Sequence, residues 1–296
     1  MVGSALLRRH IGRLLAALRL EAGYSQERAA AELQRSNTTI HRMEAGDPRV
    51  KFRDIEIAAM CDLYKASPED REQLLALTTE TRNGAKKSWW QDYTDTALPG
   101  GFGLYVSLEN DAEQIRQYEP ELVPALLQTQ AYAQAVISAP TGLLTTDEIA
   151  RRVKVRLERQ MLLSNPRPPH LVAILNEAVL RRQVGGPVVM AEQLRHLLDM
   201  SKTLGVTIRV VPFSVGVHGG MTSAFTILNF PTAPRSREPL EPPLVYVDSL
   251  TAALHLNKPT EVRAYELAWD DLGSQALDEE KSRTMITTAL EAATHG

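Results

Sequence analysis

Gln26-Glu27-Arg28-Ala29-Ala30-Ala31-Glu32-Leu33-Gln34-Arg35-Ser36-Asn37-Thr38-Thr39-Ile40-His41-Arg42-Met43-Glu44-Ala45-Gly46 reads as two short helices joined by the turn Leu33-Gln34-Arg35-Ser36. Ser25 and Ser36 stand where N-caps belong, each offering a hydroxyl oxygen to an amide that has no partner within its helix. Gly46 stops the second helix, since glycine enters the left-handed region without a Cβ penalty. Helical spacing puts Ala29 with Leu33, and Ile40 with Met43, on the inward side. Asn37, Thr38, His41 and Arg42 are left facing outward. Two short helices with so tight a connection cross steeply, and the second then protrudes far enough to enter a DNA major groove. The outward residues suit that place. Asparagine can bridge N6 and N7 of adenine, arginine N7 and O6 of guanine, and a threonine methyl can touch thymine.

Upstream, the spacing of Leu7, Ile11, Leu14, Leu15 and Leu18 predicts a helix over residues 5–22, stopped by Gly23. Downstream, Asp47-Pro48 breaks the chain and a fourth helix fits residues 53–65. Ser67-Pro68-Glu69-Asp70 then opens a fifth, with a cap, a first-turn proline and first-turn acids in order. An all-α, five-helix unit is therefore expected within residues 1–84. Charge is distributed to match. Residues 1–53 carry ten Lys and Arg against five Asp and Glu, while the whole chain carries −3, so the remainder carries −8. A basic head on an acidic body fits a protein that grips nucleic acid at one end.

The pattern Ser25-Gln26-Glu27, Leu33-x-x-Ser36-Asn37-Thr38-Thr39-Ile40-His41-Arg42-Met43-Glu44-x-Gly46 resembles the Cro/C1 (Xre) helix-turn-helix family. It departs from that family at Gln34, where many members place glycine in the turn. The resemblance implies that Asn37, Thr38 and Arg42 face base edges. It implies that Gln26, Ser36, Thr39 and His41, with the loop residues Arg49 and Lys51, lie against phosphates. It also implies a structural pair between Arg19 and Glu44, and a palindromic double-stranded operator read by a homodimer.

The chain has 296 residues, 44% of them hydrophobic and 23% charged, as in an ordinary globular protein of two domains. No apolar run is long enough to span a bilayer, and residues 1–9 lack a secretory signal pattern. A single cysteine, Cys61, allows no internal disulfide, and it lies in an apolar helical stretch where it reads as a small buried hydrophobe. A cytoplasmic protein is expected. Residues 85–109, with Trp89-Trp90 and Leu98-Pro99-Gly100-Gly101, read as a linker and docking segment. Beyond them, helices are expected near residues 124–138, 145–163, 188–202, 259–272 and 278–293. The second of these opens with the capping box Thr145-x-x-Glu148. Apolar β-type runs at 171–175, 206–213, 224–230 and 244–247 complete an α+β domain, residues 110–296, with one sheet. Five prolines within residues 231–243 mark an extended loop.

Within that domain, Tyr118-Glu119-Pro120-x-Leu122-Val123-Pro124-x-Leu126-Leu127-Gln128-Thr129, Arg156-x-Glu158-Arg159-Gln160, Asn176-Glu177-Ala178-Val179-Leu180-Arg181-Arg182 and Val211-Pro212-Phe213 resemble the large domain of WhiJ-type, antitoxin-like actinobacterial regulators. That resemblance implies a transcription regulator whose larger domain binds a small partner protein; dimerisation is expected through the same domain, because the head has few spare apolar residues for an interface. The alternative is a sensor with a small-molecule pocket, which Trp89 and Trp90 could wall. Glu177, His218 and Asp248 are residue types that could form an acid/base site, but their spacing requires none. There is no phosphate loop, paired-histidine metal motif or nucleophile elbow. No catalytic residue, metal or cofactor is expected.

Overall fold

The computed structural model describes residues 4–47, 49–83, 102–139, 144–232, 239, 241–249 and 253–295. Trp89, Trp90 and most of the expected linker, with part of the proline-rich stretch, lie outside the described residues. The chain divides into two compact units, Met1–Leu104 and Tyr105–Gly296.

The first unit holds α1 (Ser4–Glu21), α2 (Gln26–Glu32), α3 (Asn37–Glu44), α4 (Asp54–Tyr64) and α5 (Pro68–Asn83). Its core is built from Leu7, Ile11 and Leu15 of α1, Ala29 and Ala30 of α2, Ile40 and Met43 of α3, Phe52, and Ile57, Met60 and Cys61 of α4. Leu14, Leu18 and Leu33 are only half-buried, so the inward stripe is narrower than the sequence spacing implies. Cys61 is buried, and that burial pushes its thiol up. His10 is fully buried beside Arg13, 3.2 Å away; burial first, and then that guanidinium, hold its pKa down at about 3, so the ring is neutral.

Helices α2, α3 and α4 end in one way. The residue after the last turn is left-handed: Gln34 at φ +52°, Gly46 at +64° and Lys65 at +56°. Each closes a pair of amide-to-carbonyl bonds on the helix end. After α2 they run from Gln34 to Ala31 (3.1 Å) and from Arg35 to Ala30 (2.8 Å); after α3, from Gly46 to Met43 (3.0 Å) and from Asp47 to Arg42 (2.9 Å). Gly46 has a second reason to be glycine, since a Cβ there would come within 2.5 Å of the Arg9 backbone nitrogen.

The second unit is α+β. Its single sheet contains β1 (Gln114–Glu119), β2 (His170–Asn176), β3 (Val206–Val211), β4 (Phe225–Asn229), β5 (Leu244–Asp248) and β6 (Ala253–Leu256), in the order β3-β2-β1-β4-β5-β6. The β3-β2-β1 half is parallel, and β4, β5 and β6 follow antiparallel. Hence β5 points the same way as β1. The helices are α6 (Phe102–Asp111), α7 (Gln130–Ser138), α8 (Thr146–Gln160), α9 (Glu177–Arg181), α10 (Pro187–Met200), α11 (Pro259–Gln275) and α12 (Glu279–His295). On one face Tyr118, Phe225, Ile227, Val245 and Val247 pack against Val262, Trp269 and Leu272 of α11. The edge strand β3 is covered: Val210 exchanges backbone bonds with Leu277 and the Ser282 hydroxyl, and Arg209 donates to the Ala276 and Leu277 carbonyls.

Four of the strands coincide with the apolar runs, and β3 ends at Val211, short of the expected 213, because Pro212 carries no amide for the ladder. Strands β1 and β6, and helices α6 and α9, go beyond the sequence reading. The expected helix at 124–138 is two elements, a 3-10 turn at Ala125–Leu127 and then α7, capped by Thr129. Three glutamines hold this break. Gln160 donates to the Ala125 and Gln128 carbonyls, Gln193 accepts from the Thr129 amide and donates to Leu127, and Gln128 donates to Val123. The capping box of α8 is formed through Thr145 and Glu148.

Gln34 carries a Cβ in the left-handed region, which costs about 1 kcal/mol. Gln34→Gly should therefore raise stability by about 0.5–1 kcal/mol, read from equilibrium urea unfolding of the full chain. An unchanged or lower midpoint would mean that the glutamine side chain stabilises the turn by more than its backbone strain.

Candidate nucleic-acid interface

Helix α3 owes its position to three contacts that the sequence distributes between residues 12 and 44. The Arg19 guanidinium, at the end of α1, grips the Glu44 carboxylate with Nε at 2.6 Å and a terminal nitrogen at 3.1 Å, and gives its remaining nitrogen to the Tyr24 carbonyl at 2.6 Å. Both side chains are buried, 8% and 7% exposed, so the pair acts in a poorly screened environment. Gln26, the first residue of α2, donates to the same carboxylate at 2.7 Å. Gly12 supplies the third contact: a Cβ there would sit 2.3 Å from the Glu44 carbonyl oxygen, so α1 and α3 touch backbone to backbone.

With Ile40 and Met43 turned inward, α3 presents Asn37, Thr38, His41 and Arg42, all exposed. Ser36 caps the helix by accepting from the Thr39 amide at 3.1 Å and is hydrogen-bonded to the Thr39 hydroxyl at 2.8 Å. Arg49 and Lys51 are exposed in the following loop. Arg49 is clamped by Asp47, which accepts from its backbone amide and its guanidinium at 2.5–3.1 Å. The Arg42 Nε is 4.0 Å from the same carboxylate. The hydrogen bonds from Arg49, foremost, hold the Asp47 carboxyl well below the usual range. Asp47 thus roots two outward arginines, a role that sequence reasoning missed, although its place two residues before Arg49 is visible in the chain. Gln26, assigned to a phosphate by resemblance, spends its amide on Glu44.

In the second unit, the three residues that could have made an acid/base site are not assembled as one. Glu177 accepts from Arg181 at 3.0 Å and from the Phe213 amide at 2.9 Å, joining α9 to the end of β3. His218 is buried against the Tyr118 ring, and its Nδ1 accepts from the Gly220 amide at 3.2 Å. Asp248 follows Val247 on the strand and points to the opposite face of the sheet from Tyr118. The described residues contain no helix long and apolar enough to cross a membrane.

Arg19→Met strands a buried Glu44 beside Gln26 and should destabilise the head by about 3 kcal/mol. Adding Glu44→Met should restore much of the loss, because no uncompensated charge then remains. Denaturant midpoints of the two variants make the check; a single variant as stable as the parent would mean the pair contributes nothing.

Two family models match the chain. Residues 10–74 match a helix-turn-helix domain, and residues 102–288 match a domain of unknown function, DUF5753. No curated protein and no solved structure matches it. With most of its length inside the second of those matches, the chain belongs to the DUF5753 family and carries a helix-turn-helix domain ahead of it.

Proposed function

We propose that this protein is a sequence-specific DNA-binding transcription regulator, of the WhiJ type in its architecture, acting in the cytoplasm and without catalytic activity of its own. The observation that carries the reading is the face of α3, where Asn37, Thr38, His41 and Arg42 stand exposed above a buried Ile40 and Met43. In this reading Asn37, Thr38 and Arg42 meet base edges in the major groove, and Ser36, Thr39, His41, Arg49 and Lys51 meet phosphates. Gln26 reaches a phosphate only through atoms not engaged by Glu44. Asp47 holds Arg49 and Arg42 at the rim of the groove until phosphate or base competes for them.

Arg42→Ala should lose about 1–3 kcal/mol on the operator and blur discrimination at one base position. Lys51→Ala should weaken operator and scrambled DNA alike and lower the salt slope by about one unit. Binding titrations against salt on both DNAs separate the two. Equal weakening on both by Arg42→Ala would make Arg42 a phosphate contact.

One recognition helix covers few base pairs, so a two-fold pair of heads on half-sites a helical turn apart is part of the proposal. Phe213, Val217, Met221, Leu254 and Leu267 are large apolar side chains exposed on the second unit, whereas the described residues of the first show Leu20 and Ile55. That distribution supports dimerisation, and docking of a small partner protein, through the larger unit. Light scattering of the full chain at micromolar concentration should report a dimer; a monomer there would refute this part.

A further inference from the structure

The face of the sheet opposite α11 is polar where a buried sheet face is ordinarily apolar. Register places Gln117, Thr226, Tyr246 and His255 side by side across β1, β4, β5 and β6. Over this row lie Tyr105 and Glu109 of α6 and the arginines of α8. Tyr105 stacks on Tyr246 with ring centroids 4.0 Å apart and donates to Glu109 at 2.7 Å. Arg159 grips Glu109 with two nitrogens at 2.9 and 3.0 Å, and these two charges satisfy each other.

One step further toward the carboxyl ends of the strands, charges of both signs stand on one face of the sheet without forming an ion pair. Glu119 ends β1 and Asp248 ends β5, two strands that run in the same direction. Glu119 accepts one side-chain hydrogen bond, from Gln117 at 2.8 Å. Asp248 is held by the Ser249 backbone. Arg156 spends one nitrogen on Gln128 at 2.8 Å and feels both carboxylates, yet neither comes within ion-pair distance, 4.0 Å, of it. Burial, foremost, pushes Glu119 up to about 7 and raises Asp248, in both cases against the pull of Arg156. The same burial, with Arg159 and Arg152 alongside, brings Arg156 down to about 10 against the pull of Glu119 and Asp248. Tyr246, two residues before Asp248 on the same face of β5, is 6% exposed, and its hydroxyl has no hydrogen-bond partner among the described residues. A buried hydroxyl without a partner destabilises the free protein and favours a ligand that supplies one. Asp248 and Ser249 are exposed, which opens the site at that edge.

We propose that the carboxyl ends of β1 and β5 form a binding site for a small zwitterion of the α-amino-acid class, whose ammonium group is received by Glu119, Asp248 and the Tyr246 hydroxyl and whose carboxylate is received by Arg156. A lone amine would leave Arg156 unmet, and a lone acid would add a third carboxylate to two. Both poles on one small molecule answer all four groups. The site lies wholly within the second unit and does not rest on DNA reading by the head.

The test is thermal unfolding and calorimetric titration of the full chain, without DNA, against each proteinogenic amino acid at millimolar concentration. At least one should raise Tm by about 3 °C or more. Its N-acetyl derivative and its methyl ester should each bind more weakly by at least about tenfold, because each removes one pole. Glu119→Gln and Asp248→Asn should each cost at least about tenfold in affinity. Tyr246→Phe removes a hydroxyl that has no partner, so the free protein should keep or gain Tm while affinity falls about fivefold; this variant keeps the test sharp if a carboxylate variant folds poorly. The proposal is overturned if no amino acid shifts Tm, if the N-acetyl derivative or the ester binds as well as its parent, or if binding survives Tyr246→Phe and the carboxylate variants unchanged.

Discussion

The bidentate grip of Arg19 on Glu44 is the contact on which the head depends, because it connects the end of the first helix to the end of the helix that would lie in the groove. The pair is buried, so its geometry is enforced by electrostatics that solvent screens little. Tyr24 and Gln26 complete the shell, which means that α1, the turn before α2, and α2 itself are all referred to one carboxylate. Gly12 then lets the two helices meet at the backbone, and Gly46 lets the chain turn away under Arg9. The outward face of α3 is fixed as a consequence. Its side chains are free to meet a ligand because none of them is needed to hold the helix in place.

The larger unit uses the same economy with different residues. Glutamines at 128, 160 and 193 take up backbone groups of a segment that is neither helix nor strand, where polar atoms would otherwise be buried without partners. The Glu109–Arg159 pair does for α6 and α8 what Arg19–Glu44 does in the head. The difference lies in what is left over. In the head every buried charge of the central pair is matched, whereas at the ends of β1 and β5 the matching stops short, with charges of both signs held apart.

Much of the head could be read from the chain because its determinants are local. Ser25, Ser36 and Gly46 each act within a few residues of where they stand, and the spacing of Ile40 and Met43 needs only the helical period. Leu33 was harder, since it caps α2 and is drawn half out of the core by the left-handed residue after it. The sheet was legible where apolar residues make up most of the run, as in β2, β3, β4 and β5. Strand β1 was not, because Gln114, Arg116, Gln117 and Glu119 interrupt every apolar pattern, and the reason for their presence is a register with strands far away in sequence. The cap on Arg42 and Arg49 by Asp47 was likewise hidden: three charged residues near a proline look like an exposed loop until the carboxylate is seen to be shared.

Strand β1 is the first of the sheet to emerge in the chain, yet it belongs in the sheet's interior. Gln117 needs Ala173 on one side and Thr226 on the other, and Thr226 lies 109 positions later. The helices of the head, by contrast, close on one another from contacts within eighty residues. Formation of the body is therefore delayed by loop closure that the head never faces. During synthesis a folded head with α3 already in place precedes a body whose central strand still waits for both flanks. A chain interrupted before β4 would therefore carry the complete helical head, while β1 still lacked Thr226 at its side.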